Sequence, residues 1–275
     1  MPDMREVGSL RGRIPFREDL LAGEVAIVTG GGTGLGRGIA LALAAVGAKV
    51  VVTSRKEENI RRVADEINAS GGIAVSIPCN IREIEAVEAM FVQAEAAFGP
   101  VRLLVNNAGA TFTQPAEEIT PNGFRAVIET DIFGTFYCCQ AFGRRLIERG
   151  SGGSIVNITS TSPNTGNPGR IHGGAGKAGV DSMTKTLAVE WGPHQIRVNA
   201  VAPGYVPTAG VDRATVADES RAVERAMTVP LRRNGLIEDI AWPTVFLLSE
   251  AASFVNGATL VADGGRWLST GRGKE

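Results

Sequence analysis

The stretch "VAIVTGGGTGLGRGIA" sets Gly30, Gly34 and Gly36 between a short β-branched run and an Ala-rich segment with helical character. Glycines spaced this way let backbone approach a pyrophosphate, and the free N–H groups of the following helix start offer a positive dipole end. Gly32, Thr33 and Leu35 belong to the same turn and are expected to face the same ligand. The second apolar run ends "VVVTSRKEE", where an acidic side chain would bond an adenosine ribose 2′-hydroxyl and repel a 2′-phosphate. The chain offers Ser54, Arg55 and Lys56 instead, which favours NADPH over NADH, with Arg55 the expected phosphate partner. A third feature is "HGGAGKAGVDSMTK": Lys177 has Gly173 four residues before it, so no acid shares its helical face one turn back.

These groups need a scaffold, and the pattern supplies one. From Val25 onward, seven apolar runs alternate with long helical stretches: "VAIVTG", "AKVVVTS", "GIAVSIPC", "VRLLVNNAG", "GSIVNITS", "IRVNAVAPG" and "ATLVADGG". Runs that are almost continuously apolar suit strands buried on both faces of a parallel sheet. The alternation predicts an α/β fold of one domain: a doubly wound, Rossmann-type, seven-stranded parallel sheet with helices on both faces. The stretch from "NGFRAVIETD" to "FGRRLIERG" is expected as one long helix ending at Gly150. In the helix after Lys177, Val180, Met183, Leu187 and Trp191 share a face.

Residues 1–22 read as an extension strapped over the surface, 23–265 as the dinucleotide-binding domain, and 266–275 as a tail. Residues 209–234 interrupt the alternation with a polar, helical insertion after a strand's C-terminal end, where open α/β sheets place ligands. The expectation is a substrate lid, with Arg213, Arg221, Arg225, Arg232 and Arg233 supplying positive charge.

Bulk properties narrow the function classes. Among 275 residues, 28 Lys and Arg face 29 Asp and Glu, a formal charge of −1 that gives no electrostatic case for nucleic acid or an anionic membrane. The N-terminal segment is charged throughout and reads as neither a membrane span nor a signal peptide, so a cytoplasmic protein acting on a small molecule is expected. Cys79, Cys138 and Cys139 lack metal-ligand spacing and read as reduced core residues.

The "TGGGTGLG" spacing, "NNAG" at 106–109, "GSIVNITS", Lys177, "IRVNAVAPGYVPT" and "VADGG", in this order, resemble the short-chain dehydrogenase/reductase family over residues 23 to 265. The resemblance implies that Asn107, Ala108 and Gly109 line the adenosine side of the cofactor cleft and that Asn80 and Ile81 meet the adenine. It implies that Lys177 bonds the nicotinamide ribose and that Pro203, Gly204, Val206 and Thr208 border the nicotinamide. Asn80 stands where many relatives carry aspartate. The family also implies dimers or tetramers built on the helices around 123–149 and after Lys177.

An ordinary member combines Asn, Ser, Tyr and Lys. Here Ser160 and Lys177 match, Asp131 in "ETDIFGTF" replaces the asparagine, and Gly173 replaces the tyrosine. Carbonyl reduction leaves an alkoxide that needs a proton on oxygen, the task of the tyrosine. Hydride addition to an unsaturated thioester makes an enolate, whose oxygen needs only donors while the proton goes to carbon. The segments "HGGAGKAGVDSMTKTLAVEWGP" and "ETD" resemble the peroxisomal-type 2,4-dienoyl-CoA reductases of the family, and "FGPVRLLVNNAG" its trans-2-enoyl-CoA reductases. The expected activity is therefore NADPH-dependent reduction of a carbon–carbon double bond in an acyl-CoA. Lys177, Ser160 and Asp131 are the catalytic candidates, the last anchoring a water or, alternatively, only neutralising Lys177. Tyr137 and Tyr205, the only tyrosines, lack the spacing to replace the missing phenol. His172 adjoins Gly173 but points about 100° away on a helix and reads as a loop or capping residue. Two other readings stay open: a ketoreductase or alcohol dehydrogenase with another acid, and a nucleotide-binding regulator that lost catalysis.

Overall fold

The computed structural model describes residues 14–208 and 219–269, with the side chains of 219–222 left out. Seven parallel strands run β1 (Val25–Thr29), β2 (Lys49–Ser54), β3 (Ile73–Pro78), β4 (Leu103–Asn106), β5 (Gly153–Ile158), β6 (Ile196–Pro203) and β7 (Thr259–Ala262). Their order across the sheet is β3-β2-β1-β4-β5-β6-β7. The chain winds outward from β1 to β3, then crosses back to place β4 on the other flank of β1. The C-terminal ends of β1 and β4 thus diverge at a topological switch point, the crevice in which such sheets bind ligands.

The α-helices, again among the described residues, are α1 (Gly34–Ala45), α2 (Glu57–Ala69), α3 (Ile84–Phe98), α4 (Pro121–Ile128), α5 (Thr135–Arg149), α6 (Ser162–Thr165), α7 (Ile171–Trp191), α8 (Glu219–Thr228) and α9 (Glu238–Leu248). Successive residues of β1 alternate between two cores, as a strand covered on both sides must. Ala26 and Val28 join Ile39, Leu43, Ile240 and Val245 on the α1 and α9 side. Val25 and Ile27 join Met90, Phe91, Phe142 and Leu146 on the α3 and α5 side. Each such Leu, Ile or Phe contributes about 1.5–3 kcal/mol by leaving water. The edge strands depart from the expected continuous burial, because Ile73 of β3 and Leu260 of β7 each have one face to solvent.

The long helix expected over 122–149 is divided. Between α4 and α5 the chain makes a π turn over Glu129–Gly134, in which Asp131 is buried. A π turn carries one residue more than an α turn and marks functional sites. Gly134 sits against Ile81 there, and a Cβ on it would lie 2.6 Å from the Ile81 side chain. On α7 the buried row is His172, Gly176, Val180, Thr184, Leu187 and Trp191. Thr184 takes the place expected of Met183 because its hydroxyl accepts from Asn157 Nδ2 at 2.9 Å, and Asn157 in turn accepts from Asn106 at 2.9 Å. This buried polar chain ties the ends of β4 and β5 to α7.

Ile14, Phe16 and Leu20 from the first described residues pack against the α1 and α9 core, with Phe16 and Trp242 rings 6.1 Å apart. Of the expected lid, residues 209–218, Arg213 among them, lie outside the described residues, as does the side chain of Arg221.

Candidate active site

The glycine turn is fastened to the end of β4 by side chains rather than left as a free loop. Asn107 Nδ2 donates to the carbonyls of Thr29 at 2.9 Å and Gly30 at 3.2 Å. The Thr29 hydroxyl accepts from the N–H groups of both Asn107 and Ala108 at 3.0 Å. Gly30 and Gly34 hold φ of +64° and +55°, the left-handed region that favours glycine. A Cβ on Gly36 would lie 2.3 Å from the Gly30 carbonyl and 2.4 Å from Asn107 Nδ2, so only glycine permits this closure. Thr33 precedes the first turn of α1 in extended conformation without a side-chain cap. The helix start therefore keeps its N–H groups free for an anion.

Other expected cofactor residues lie at or just past the C-terminal ends of the strands. Arg55 is exposed in the turn between β2 and α2, and a Cβ on Gly32 would touch Asn59 of α2 at 2.9 Å. Asn80 donates to Glu83 at 2.6 Å and its side-chain oxygen accepts from the Arg82 N–H at 3.4 Å, so the amide is held within its own turn. Ile81 is buried beneath the π turn, so it can meet a ligand only through its backbone or edge. Pro203 ends β6, Gly204 N–H donates to Ala262 at 2.9 Å, and Val206 is buried. The Thr208 hydroxyl lies 3.4 Å from the position of a Cβ on Gly34, against the start of α1.

Of the three catalytic candidates, Lys177 and Asp131 are brought together over Gly109. Lys177 Nζ donates to the Ile158 carbonyl at the end of β5, at 2.9 Å. Asp131 Oδ1 accepts from the Ala110 N–H at 2.8 Å. Both Nζ and Oδ1 lie 3.1 Å from the place a Cβ on Gly109 would take, so both border Gly109 and the Lys177 charge acts on the carboxyl. Asp131 is only 1 % exposed, and its Oδ2 has no partner. Burial pushes its carboxyl above the usual range, opposed by the Lys177 charge and the Ala110 hydrogen bond. Its approach to α7 depends on Gly176, where a Cβ would fall 2.9 Å from Asp131 Cβ. Ser160 lies just past β5, its hydroxyl accepting from the Ser162 N–H at 3.3 Å.

Three positions read differently in the structure than in the sequence. His172, expected at a loop or cap, is fully buried in the first turn of α7. Its ring lies 4.1 Å from that of Phe112, and its Nε2 accepts from the Phe112 N–H at 3.4 Å. Thr111, which carried no signal, presents its hydroxyl 3.0 Å from where a Cβ on Gly173 would be. Thr29 carries no local signal in the sequence, although its hydroxyl joins the glycine turn to the end of β4.

Neither tyrosine fills the gap left at Gly173. Tyr137 packs against the α3 and α5 core beside Phe133 and Phe136. Tyr205 has the Arg225 guanidinium 4.8 Å above its ring and accepts from Arg225 at 3.3 Å, which joins it to α8. The three cysteines are buried free thiols, and burial pushes Cys79 up to about 11 and Cys139 to about 12, so they stay unreactive.

Comparison with known proteins follows the same lines. Residues 30–266 match a family profile described as Enoyl-(Acyl carrier protein) reductase. The chain is 41 % identical, over 88 % of its length and 96 % of the other's, to a Bacillus subtilis protein named as a probable 2,4-dienoyl-CoA reductase. It is 37 % identical to the peroxisomal 2,4-dienoyl-CoA reductase of Danio rerio, over 93 % of this chain and 85 % of that one. Among solved structures, a Burkholderia cenocepacia gluconate 5-dehydrogenase in complex with NADP and tartrate superposes with a TM-score of 0.85. That pair is 32 % identical and aligns over 90 % of this chain and 97 % of the other.

Proposed function

From the premise that this chain belongs to the short-chain dehydrogenase/reductase family, as an oxidoreductase with a nicotinamide nucleotide cofactor, we propose that it reduces a carbon–carbon double bond of an unsaturated acyl-CoA using NADPH. One observation carries the reading: the helix that brings Lys177 to the cleft has Gly173 where a phenol would stand, and both tyrosines are engaged elsewhere. The names of the reductases at 37–41 % identity support the same choice.

The crevice residues fit such a cofactor. The uncapped start of α1 and the glycine turn suit the pyrophosphate, and Arg55 suits an adenosine 2′-phosphate. Asn107 and Thr29 hold the turn open, and Lys177 and Thr208 flank the nicotinamide end. When bound, the nicotinamide supplies hydride to the terminal carbon of the conjugated system. Ser160 donates toward the thioester oxygen, where negative charge collects as the enolate or dienolate forms, and Lys177, by holding the ribose hydroxyl, would direct a second donor to it. Asp131, bordering Gly109 as Lys177 does, anchors a water that returns a proton to carbon. Oxygen itself needs no acid, so the missing phenol costs this reaction little.

Arg225, stacked over the Tyr205 ring, would offer the bulky thioester a cationic contact. Assembly as a homodimer or homotetramer through α5 and α7 is part of the same proposal; Phe133 and Phe136 expose apolar surface there. No helix among the described residues is long and apolar enough to cross a membrane, and cytoplasmic placement is proposed with the function.

The test is NADPH oxidation by the purified chain with matched enoyl-, dienoyl- and 3-oxoacyl-CoA substrates, and NADP+ reduction with gluconate-type sugar acids. Turnover of the enoyl or dienoyl thioester alone is expected. Turnover of the 3-oxoacyl-CoA or the sugar acid, with none on the unsaturated thioesters, would overturn the reading. Tight NADPH binding without turnover on any of them would make the chain a nucleotide-binding regulator.

A further inference from the structure

His172 takes no part in the scheme above, yet it has no solvent exposure and sits one helical turn before Gly176 on the same face of α7. Gly176 is the residue over which Asp131 packs, its Cβ position lying 3.0 Å from Asp131 Oδ2. The imidazole and the carboxyl are thus neighbours, and each lies in the other's field. Each also has one buried atom without a protein partner: Nδ1 of His172 and Oδ2 of Asp131. Unsatisfied buried polar atoms are rare and costly, so two in one small region call for a common explanation.

The tautomer follows from the hydrogen bonds. Nε2 accepts from the Phe112 N–H, so it carries a lone pair, and the proton of a neutral imidazole must be on Nδ1. Burial holds the imidazole below its ordinary range, opposed by Asp131 and assisted by Arg170. Nδ1 is therefore a donor and Asp131 Oδ2 an acceptor. The other charged groups of this region are Lys177, on α7 itself, and Arg170, just before it; the loop from Ala110 to Thr113 adds no titratable group.

We propose that His172 is a positioning residue for Asp131: one water, accepting from His172 Nδ1–H and donating to Asp131 Oδ2, holds the carboxylate charged and directed at Lys177. The inference rests on the reading of Asp131 as the water-anchoring carboxylate. It explains why Gly173 is tolerated: the neighbouring residue on α7 faces inward and supports the proton path from behind. It also explains the contact with Phe112, because the same ring that serves Asp131 fixes the loop carrying Thr111 against the vacated tyrosine position.

Two measurements separate this inference from the choice of substrate. The first needs no turnover: nitrogen NMR of the 15N-histidine-labelled chain with NADPH bound, His172 being distinguished from His194 with a His194→Gln variant. A neutral Nδ1–H tautomer near pH 7.5 is expected, with the pKa of His172 falling further in Asp131→Asn. An Nε2–H tautomer, or a pKa unmoved by Asp131→Asn, would overturn the proposal. The second is the pH profile of NADPH oxidation on the best unsaturated thioester.

His172→Phe keeps the ring against Phe112 but has no donor. Its acid limb should move up by about one pH unit, as expected for loss of a charge-assisted hydrogen bond. His172→Asn returns an N–H near the place of Nδ1 and should bring the limb back, with NADPH affinity unchanged within about twofold in both variants. Equal profiles for His172→Phe and His172→Asn would show that the ring only packs. If His172→Phe does not fold, His172→Gln serves in its place, because its amide reaches the Nε2 position and should leave the limb displaced. Failure of every thioester with the NMR outcome intact would refute the proposed substrate and leave the His172–Asp131 couple standing.

Discussion

Replacing Asp131 by Asn should make the protein more stable and less active. The substitution keeps the shape of the side chain, and the amide oxygen can accept the Ala110 N–H as Oδ1 does at 2.8 Å. The charge is what disappears. In the folded chain burial outweighs the attraction of Lys177, since the carboxyl is held above its ordinary value. A group whose folded pKa is raised contributes stability below its unfolded pKa and loses that contribution as pH rises through the folded value. Wild type and Asp131→Asn should therefore melt nearly alike where the carboxyl is mostly protonated in both states, at about pH 3.5 and below, and diverge as pH rises. At pH 7.5 the variant should be more stable by on the order of 1 kcal/mol, the scale seen when a strained functional residue is relieved. For a chain of this size that corresponds to about 2–4 °C in Tm. Activity should move the other way, kcat falling by about 10²-fold if the carboxylate anchors the reacting water. The acid limb of the wild-type pH profile should also vanish. Thermal melts at the two pH values, paired with NADPH oxidation on a dienoyl-CoA, decide it. A variant that is less stable than wild type at pH 7.5 would refute the reasoning, because Asp131 would then be a counter-ion holding Lys177.

Lys177→Met removes the donor to Ile158 and the proposed ribose contact; NADPH Kd by fluorescence titration should rise about 10–100-fold, the worth of a charge-assisted hydrogen bond. Gly36→Ala forces a Cβ onto the Gly30 carbonyl and Asn107, so calorimetry should show a loss of about 1–3 kcal/mol and NADPH binding should weaken with it. Arg55→Ala should cost NADPH about tenfold or more in Kd and leave NADH unchanged, since only the former carries a 2′-phosphate. Equal losses for the two nucleotides would place the phosphate elsewhere.

The sheet was legible because each strand announces itself as a nearly unbroken apolar run and each crossover as a helical stretch of sufficient length. The glycine turn was legible too, since Gly30 and Gly34 adopt the backbone region that glycine alone enters freely. What fastens that turn was hidden, because Thr29 and Asn107 are 78 positions apart and nothing local in either marks the other. The π turn was hidden for a different reason. Helical periodicity over "AVIETDIFGTF" continues through one surplus residue with little visible change, and the energetic gain lies in tertiary contacts of Asp131 and Gly134. The burial of His172 was hidden because its offset of about 100° from Gly173 does not say on which side the core lies. Relative to Gly176, one turn later, it lies on the buried side.

The extra residue within Glu129–Gly134 sets the rotational phase of everything after it. With a regular α turn there, the α4 side of the rod and the α5 side would be out of step by one residue, about 100°. Either Asp131 would swing away from Ala110, or Cys138, Phe142 and Leu146 would turn their apolar face out of the core. Shortening this segment by a single position should thus yield a smoother helix and a blind cleft. Anyone trimming or grafting this scaffold must count residues here as carefully as in the glycine turn.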